Sequence, residues 1–303
     1  MNNVFLIESP LQLLNAYEAH AYFKLDNPLY IVRLSNDKIN DNQILKLINY
    51  LLVKNKIIVK INSRKKNLFD ILKISLIKFF FILKEKRFNK IFVGNYESGF
   101  FSLLLKKINK KKLILLDDGA KSIITQKNFS NKNNIDFFSI YDLKPYTNQN
   151  IFKNNFDKLK EKIISKKVAK QTLFLGSKLS EIGIVDEKYY INFIEKVSLY
   201  FSNNSIVYIP HREENIEKIK NIEKIKNVEI KYLDYPVEFY GINENININI
   251  VGSFYSTALY TMQNIYKCES IAFKFNYENS IHKNNINDVY SFYEKYMKVI
   301  ELK

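Results

Sequence analysis

The sequence predicts an α/β protein made of two successive doubly wound halves, and three observations predict it. Short apolar, β-branched runs alternate with segments of helical period along the chain, the pattern of a parallel sheet covered on both faces. At 303 residues the chain exceeds what one core usually organises, so two domains are expected, residues 1–155 and 156–303. Four of the seven glycines, Gly94, Gly119, Gly176 and Gly252, follow an apolar strand-like run, where a tight turn or a close ligand needs a residue without a Cβ. In an open parallel sheet that end of the strands is where ligands bind.

Val4 to Ile7 reads as the first strand, and Glu8-Ser9-Pro10 hands the chain to a helix from Leu11 to Phe23. Leu29 to Leu34 and Lys56 to Ile61 are strands separated by a helical pattern around Asn42 to Leu52. Leu68 to Phe88 has apolar residues at helical spacing but is interrupted by Lys73, Lys78, Lys84 and Lys86, so it is not expected to span a bilayer. It offers a surface for lying on one, although a buried helix is the commoner outcome for such a stripe. Lys90 to Val93 is a strand, Gly94 to Gly99 a loop, Phe100 to Ile108 a helix, and Leu113 to Leu116 a strand that ends at Asp117-Asp118-Gly119. The Asn-, Lys- and Tyr-rich stretch from Asn128 to Asn155 shows no clean period and is expected to connect the domains.

The alternation then restarts. Strands are expected at Thr172 to Leu175, Ser205 to Pro210, Val228 to Leu233, Ile246 to Val251 and Ser270 to Phe275, with helices at Glu187 to Phe201, Asn215 to Ile225 and Ser256 to Tyr266. The last helical stretch, Asn287 to Leu302, is a candidate to pack back across the first half. Both halves are Rossmann-like by this reading.

Lys and Arg number 47 against 31 Asp and Glu, a formal charge of +16 that attracts polyanions: nucleic acid, an anionic membrane or acidic sugars and nucleotides. An AT-rich genome would produce the same scatter of Lys among Asn and Ile. Cys268 is the sole cysteine, which excludes an intramolecular disulfide and paired-cysteine metal sites. The N-terminus lacks the pattern of a signal peptide, and the cytoplasm is the expected compartment.

Four segments carry candidate chemistry. Ser205 to Pro210 delivers His211 and Arg212 at a strand end, a place suited to an anionic ligand, although such a histidine also serves to cap the next helix. Asp117 and Asp118 place carboxylates at a strand terminus, where one can act as a general base or where the pair simply caps a helix. Ser253, Ser256 and Thr257 collect hydroxyls at a helix N-terminus, which favours phosphate and equally favours ordinary N-capping. Glu238, after Pro236-Val237, offers a loop carboxylate able to accept from ribose hydroxyls. Neither half carries G-x-G-x-x-G or a P-loop, so nicotinamide and NTP-hydrolysing chemistry are poorly supported.

In this order, Leu116-Asp117-Asp118-Gly119, Ile209-Pro210-His211-Arg212 and Ser253 with Ser256-Thr257 resemble the motifs of bacterial sialyltransferases, of the glycosyltransferase family 52 (lipooligosaccharide) type, and of related bacterial polysialyltransferases. Ser9-Pro10-Leu11-Gln12 looks like that family's N-terminal Pro-x-Gln loop, and Leu175-Gly176-Ser177 with Glu181 like the segment that opens its second domain. Arg212 stands where many members have Pro, and Lys178 replaces another Pro. The base therefore stays open between Asp117, Asp118 and Glu181.

The resemblance implies a GT-B arrangement, two Rossmann-like domains facing across a cleft, and inverting transfer of sialic acid from CMP-sialic acid to a sugar hydroxyl of a bacterial surface glycan, without metal or other cofactor. It implies an acid base, phosphate stabilisation by His211 with Ser253, Ser256 and Thr257, further CMP-sugar binding by Gly176, Ser177 and Arg212, ribose or cytosine recognition by Glu238, and an acceptor side at Pro10, Gln12, Tyr96 and Glu97. A lipid-linked acceptor would fit peripheral membrane contact. Rival readings keep the fold with another CMP-nonulosonate or CMP-Kdo donor, or use the basic charge to hold nucleic acid, for which no binding motif is present.

Overall fold

The computed structural model describes residues 3–62, 72, 74–76, 88–106, 108–119, 121–129, 135–146, 148–163, 166–168, 170–277 and 281–302. The chain divides into two compact units, Met1–Lys158 with Asp234–Pro236, and Leu159–Leu233 with Val237–Lys303.

The first unit is built on β1 (Val4–Ile7), β2 (Leu29–Leu34), β3 (Lys56–Lys60), β4 (Phe88–Val93), β5 (Lys110–Leu116), β6 (Ile135–Ser139) and β7 (Ile151–Lys153), in the order β3-β2-β1-β4-β5-β6-β7. Every pairing is parallel. Helices α1 (Pro10–Tyr22), α2 (Lys38–Tyr50), α3 (Gly99–Leu105) and α4 (Lys121–Asn128) lie between the strands in sequence. A parallel sheet covered on both faces needs strands that are apolar throughout. β1 meets that demand, all four of its residues being fully buried, and the Phe5 ring stacks between Tyr30 at 4.7 Å and Phe92 at 4.5 Å.

The second unit opens with the short helix α5 (Asp157–Glu161) at the crossover, then β8 (Lys167–Val168), β9 (Thr172–Leu175), α6 (Glu187–Tyr200), β10 (Ile206–Ile209), α7 (Ile216–Glu223) and β11 (Val228–Ile230). A 3₁₀ turn (Val237–Phe239), α8 (Tyr240–Asn243), β12 (Ile246–Asn247), β13 (Ile250–Ser253), α9 (Ala258–Tyr266), β14 (Glu269–Lys274), α10 (Lys283–Tyr293) and β15 (Lys298–Glu301) complete it. Its sheet runs β11-β10-β9-β13-β14-β15, with β12 and β8 pairing separately. Around each central strand, β1 and β9, the order repeats: two strands later in sequence on one side, the rest on the other. That reversal is the switch point at which doubly wound sheets open a crevice at their carboxyl ends.

Three expectations need correction. The stretch from Asn128 to Asn155 is not a plain connection but supplies β6 and β7 of the first sheet. Its apolar run is broken by Asp136, which is buried in the strand and paired with Lys112 at 3.0 Å, so a paired charge hid a buried strand. The last segment is not one helix: it is α10 followed by β15 (Lys-Val-Ile-Glu), the edge strand of the second sheet. α10 packs on its own unit, with the Tyr290 hydroxyl bonded to the carbonyls of Phe254 and Phe273 at 2.9 and 2.8 Å. The run expected over Ile246 to Val251 is two strands, β12 and β13. Most of Leu68 to Phe88 lies outside the described residues, so the bilayer surface expected there does too. Among the described residues no helix is long and apolar enough to cross a membrane.

Candidate functional site

In the first unit the carboxyl ends of β1, β4 and β5 are tied together by one side chain. Ser9 caps α1 by accepting from the Gln12 N–H, and Pro10 fills the first turn, where its missing N–H costs nothing. Gln12 is thereby fixed beneath the loops, 1% exposed. Its Oε1 accepts from the Glu8 N–H at 2.9 Å, and its Nε2 donates to Asp118 Oδ1 at 2.9 Å. The same side chain occupies the space that a Cβ on Gly94 would need, 2.3 Å away, which explains the glycine after β4. Two motifs 106 residues apart in sequence are thus joined by a hydrogen bond.

The acidic pair splits into two roles. Asp117 is 3% exposed, and its carboxylate accepts from the Ser139 hydroxyl and the Ile140 N–H, each at 2.7 Å, fastening β5 to the end of β6. Burial pushes its carboxyl up to about 6 against the opposing hydrogen bonds. Asp118 instead lines a cavity of about 20 Å³, room for one water, together with Gly94, Tyr96, Glu97 and Ser122. Gly119 follows with φ +66°, the left-handed turn that glycine tolerates. Tyr96 is braced edge-on against Phe129 at 4.7 Å, and the Glu97 N–H bonds Asn95 Oδ1. Asn15, missed in the sequence reading, donates to the Asp117 carbonyl at 3.0 Å. So was the ion pair of Glu8 with Arg33, largely buried, with Asn95 and Ser98 also donating to Glu8.

In the second unit β9 and β10 end at Gly176-Ser177 and at Pro210-His211. The Glu213 N–H donates to His211 Nδ1 at 3.2 Å, which puts the ring proton on Nε2. Burial lowers the imidazole's affinity for a second proton, and Lys178 and Arg212 act in the same direction against Glu213 and Glu181. At neutral pH His211 is therefore a neutral Nε2–H donor. Its own N–H donates to Glu214 Oε2 at 2.5 Å. Glu214 Oε1 accepts from the Tyr208 hydroxyl at 2.6 Å and meets Lys218 Nζ at 2.9 Å, both side chains of that ion pair being fully buried. Burial nonetheless raises the Glu214 carboxyl above its ordinary range, outweighing Lys218 and the hydrogen bonds. Tyr208 joins Tyr190, whose hydroxyl accepts from the Ser177 N–H.

Glu181 is part of this network. Its Oε1 accepts from the Asn215 N–H at 2.8 Å and pairs with Lys218 at 2.9 Å. Burial favours the neutral acid, but these partners prevail and hold its carboxyl below the ordinary range. Such a carboxylate is a poor proton acceptor. Ser253 is fully buried and donates to the Leu175 carbonyl at 2.7 Å, a tie between β13 and β9 that leaves its hydroxyl unavailable to a ligand. Ser256 Oγ accepts from the Ala258 N–H at 3.3 Å, and Thr257 caps α9 without a side-chain bond. Glu238 is 6% exposed, its carboxyl raised by burial and opposed only by its own N–H. Arg212 is exposed, with its Nε 3.9 Å from Glu213. The residues missed by sequence reasoning are Tyr190, Tyr208, Glu214 and Lys218; the glycine at 176 was their one signal, since a Cβ there would lie 2.2 Å from Glu214 Oε2 and 2.6 Å from the Tyr208 hydroxyl.

Two Rossmann-like units, each with its polar groups at the carboxyl ends of the strands, define an α/β protein of the GT-B fold. No protein-family model matches the chain, and no curated protein matches it in sequence. Solved structures match over nearly its whole length. The GT-B domain of a sialyltransferase from Photobacterium damselae aligns with a TM-score of 0.57 at 8% identity, over 99% of each chain. The 2,6-sialyltransferase of Photobacterium sp. JT-ISH-224, in complex with CMP and lactose, gives 0.56 at 10% identity, over 98% of this chain and 78% of that one. The UDP-GlcNAc 2-epimerase of Neisseria meningitidis bound to UDP-GlcNAc gives 0.57 at 12% identity, over 98% and 92%. At these identities the likeness is one of fold.

Two outcomes are expected. Gly176→Ala drives a methyl group into side chains that are fully buried and cannot swing away, and should cost about 1–3 kcal/mol of stability in urea titrations. For Asp117 the folded value of about 6 lies above the ordinary 3.8, so the folded state holds the proton more tightly. Its contribution is present below pH 3.8 and is lost as pH rises through 6, on the order of 3 kcal/mol across that window. Asp117→Asn should flatten the fall in stability between those pH values; an unchanged slope would locate the titration elsewhere.

Proposed function

We propose that the protein is an inverting, metal-independent sialyltransferase that moves sialic acid from CMP-sialic acid to a sugar hydroxyl of a bacterial surface glycan. The observation that supports this best is the Gln12–Asp118 hydrogen bond. It joins the Pro-x-Gln and Asp-Asp-Gly motifs, each of which resembles the same family, and presents one oriented carboxylate beside a water-sized cavity.

Asp118 takes the proton from the acceptor hydroxyl. The acceptor oxygen then bonds to the anomeric carbon as the bond from that carbon to the phosphate oxygen breaks, and the electron pair leaves with CMP. The sugar's configuration inverts. Asp118 serves as the base because it lines the cavity, whereas Asp117 holds the end of β6 and Glu181 pairs with Lys218. His211 donates from Nε2 to the departing phosphate, neutralising charge that grows in the transition state. The start of α9 at Ser256 and Thr257 adds further donors, Arg212 supplies positive charge, and Glu238 accepts from the ribose hydroxyls. Tyr96 and Glu97, beside Asp118, form the acceptor side. The matched epimerase carries a UDP-sugar, so UDP is the competing nucleotide class.

Isothermal titration should show binding of CMP but not of UDP or GDP; tight UDP binding without CMP would remove this reading. With CMP-sialic acid and lactose, Asp118→Asn and His211→Ala should each lower turnover by about 100-fold or more with the fold intact, and chelators should leave the wild-type rate unchanged. CMP-Kdo in place of CMP-sialic acid tests the neighbouring donor class.

A further inference from the structure

Lys218 lies in a Glu- and Lys-rich helix that reads as a solvated face, yet its side chain is fully buried. Its ammonium has Glu214 Oε1 and Glu181 Oε1 at 2.9 Å, Ser180 Oγ at 3.1 Å, the Ser177 carbonyl at 3.4 Å and the Tyr190 ring centroid at 4.0 Å. For stability alone, two apolar side chains of the same volume would serve as well or better, because removing both charges from water is costly. The pair is instead arranged around the ends of two strands, β9 and β10. Glu214 Oε2 holds the His211 N–H at 2.5 Å. Glu214 Oε1 holds Tyr208, and through Tyr190 that bond reaches the Ser177 N–H. One carboxylate thus sets the ends of both β9 and β10, and Lys218 compensates its charge.

We propose that Glu214 and Lys218 are positioning residues that fix the backbone at His211, and with it the turn at Ser177, so that the His211 Nε2–H is aimed at the nucleotide phosphate, without touching the ligand themselves. This rests on the reading of the second unit as the nucleotide-binding one. Other charged groups act on the His211 ring, namely Glu213, Lys178, Arg212 and Glu181, and all are left in place by the changes below.

The test uses the whole protein and the double variant Glu214→Gln/Lys218→Met, which removes both buried charges at nearly constant volume and so keeps the fold. Imidazole nitrogen chemical shifts report the ring's tautomer, and His211→Ala assigns its signals among the three histidines. In the wild type His211 should show a single Nε2–H form. The double variant should melt like the wild type, yet show mixed tautomers and lose about tenfold or more in kcat, with KM for the acceptor unchanged within about twofold. Tyr208→Phe, which cuts only the branch to Ser177, should keep the His211 signature and lose less turnover. A folded double variant with wild-type tautomer and wild-type turnover would reduce the pair to packing and overturn the proposal. Should the wild type bind no nucleotide and transfer no sugar, the sialyltransferase reading fails, and the tautomer comparison alone still decides whether the pair orients His211.

Discussion

Glu214 keeps a carboxylate out of water, and the carboxyl ends of β9 and β10 are organised by how that cost is met. Withdrawing such an ion from solvent costs several kcal/mol even after relaxation, and charge-assisted hydrogen bonds return about 1.5–3 kcal/mol each. Glu214 collects three partners, the His211 N–H, the Tyr208 hydroxyl and Lys218. These bonds tether the loop after β10 and, through Tyr190, the turn after β9. The absence of a Cβ at 176 follows from the space this carboxylate and Tyr208 occupy.

The first unit solves a related problem by division. Asp117 and Asp118 are neighbours in sequence, but one is enclosed by Ser139 and Ile140 while the other accepts from the Gln12 amide and lines a cavity. Adjacent carboxylates in contrasting surroundings can take different tasks, and here one holds the sheet while the other lines a cavity. Gln12 is the hinge of that division, because it spans the end of β1, the crowded space above Gly94 and the outer acid.

The strands around both switch points were legible because parallel, two-sided burial demands continuous apolar runs, as at Val4 to Ile7 and Leu173 to Leu175. The glycines at 94 and 176 were legible as positions where something passes close by, though what passes was not. Elements resting on a paired charge were invisible: β6 contains Asp136, and its partner Lys112 comes from a run of lysines that reads as surface. Lys218 and Glu214 were lost for the same reason, since periodicity cannot distinguish a buried salt bridge from a solvated one. Ser253 was read as a ligand group because its position at a strand end is right; its hydroxyl is spent on the neighbouring strand. Glu181 looked like a base by its place after Gly176-Ser177, and its partners three dozen residues onward could not be inferred from the chain.

The order of the first sheet bears on how the chain is made. β1, its central strand, is synthesised before every strand that flanks it, and its second neighbour, β4, begins only at Phe88. At ribosomal speeds of about 5–20 residues per second, one edge of a wholly apolar strand stays open for roughly 4 to 16 seconds. During that interval the nascent chain carries an unpaired apolar edge of the kind that other chains can join.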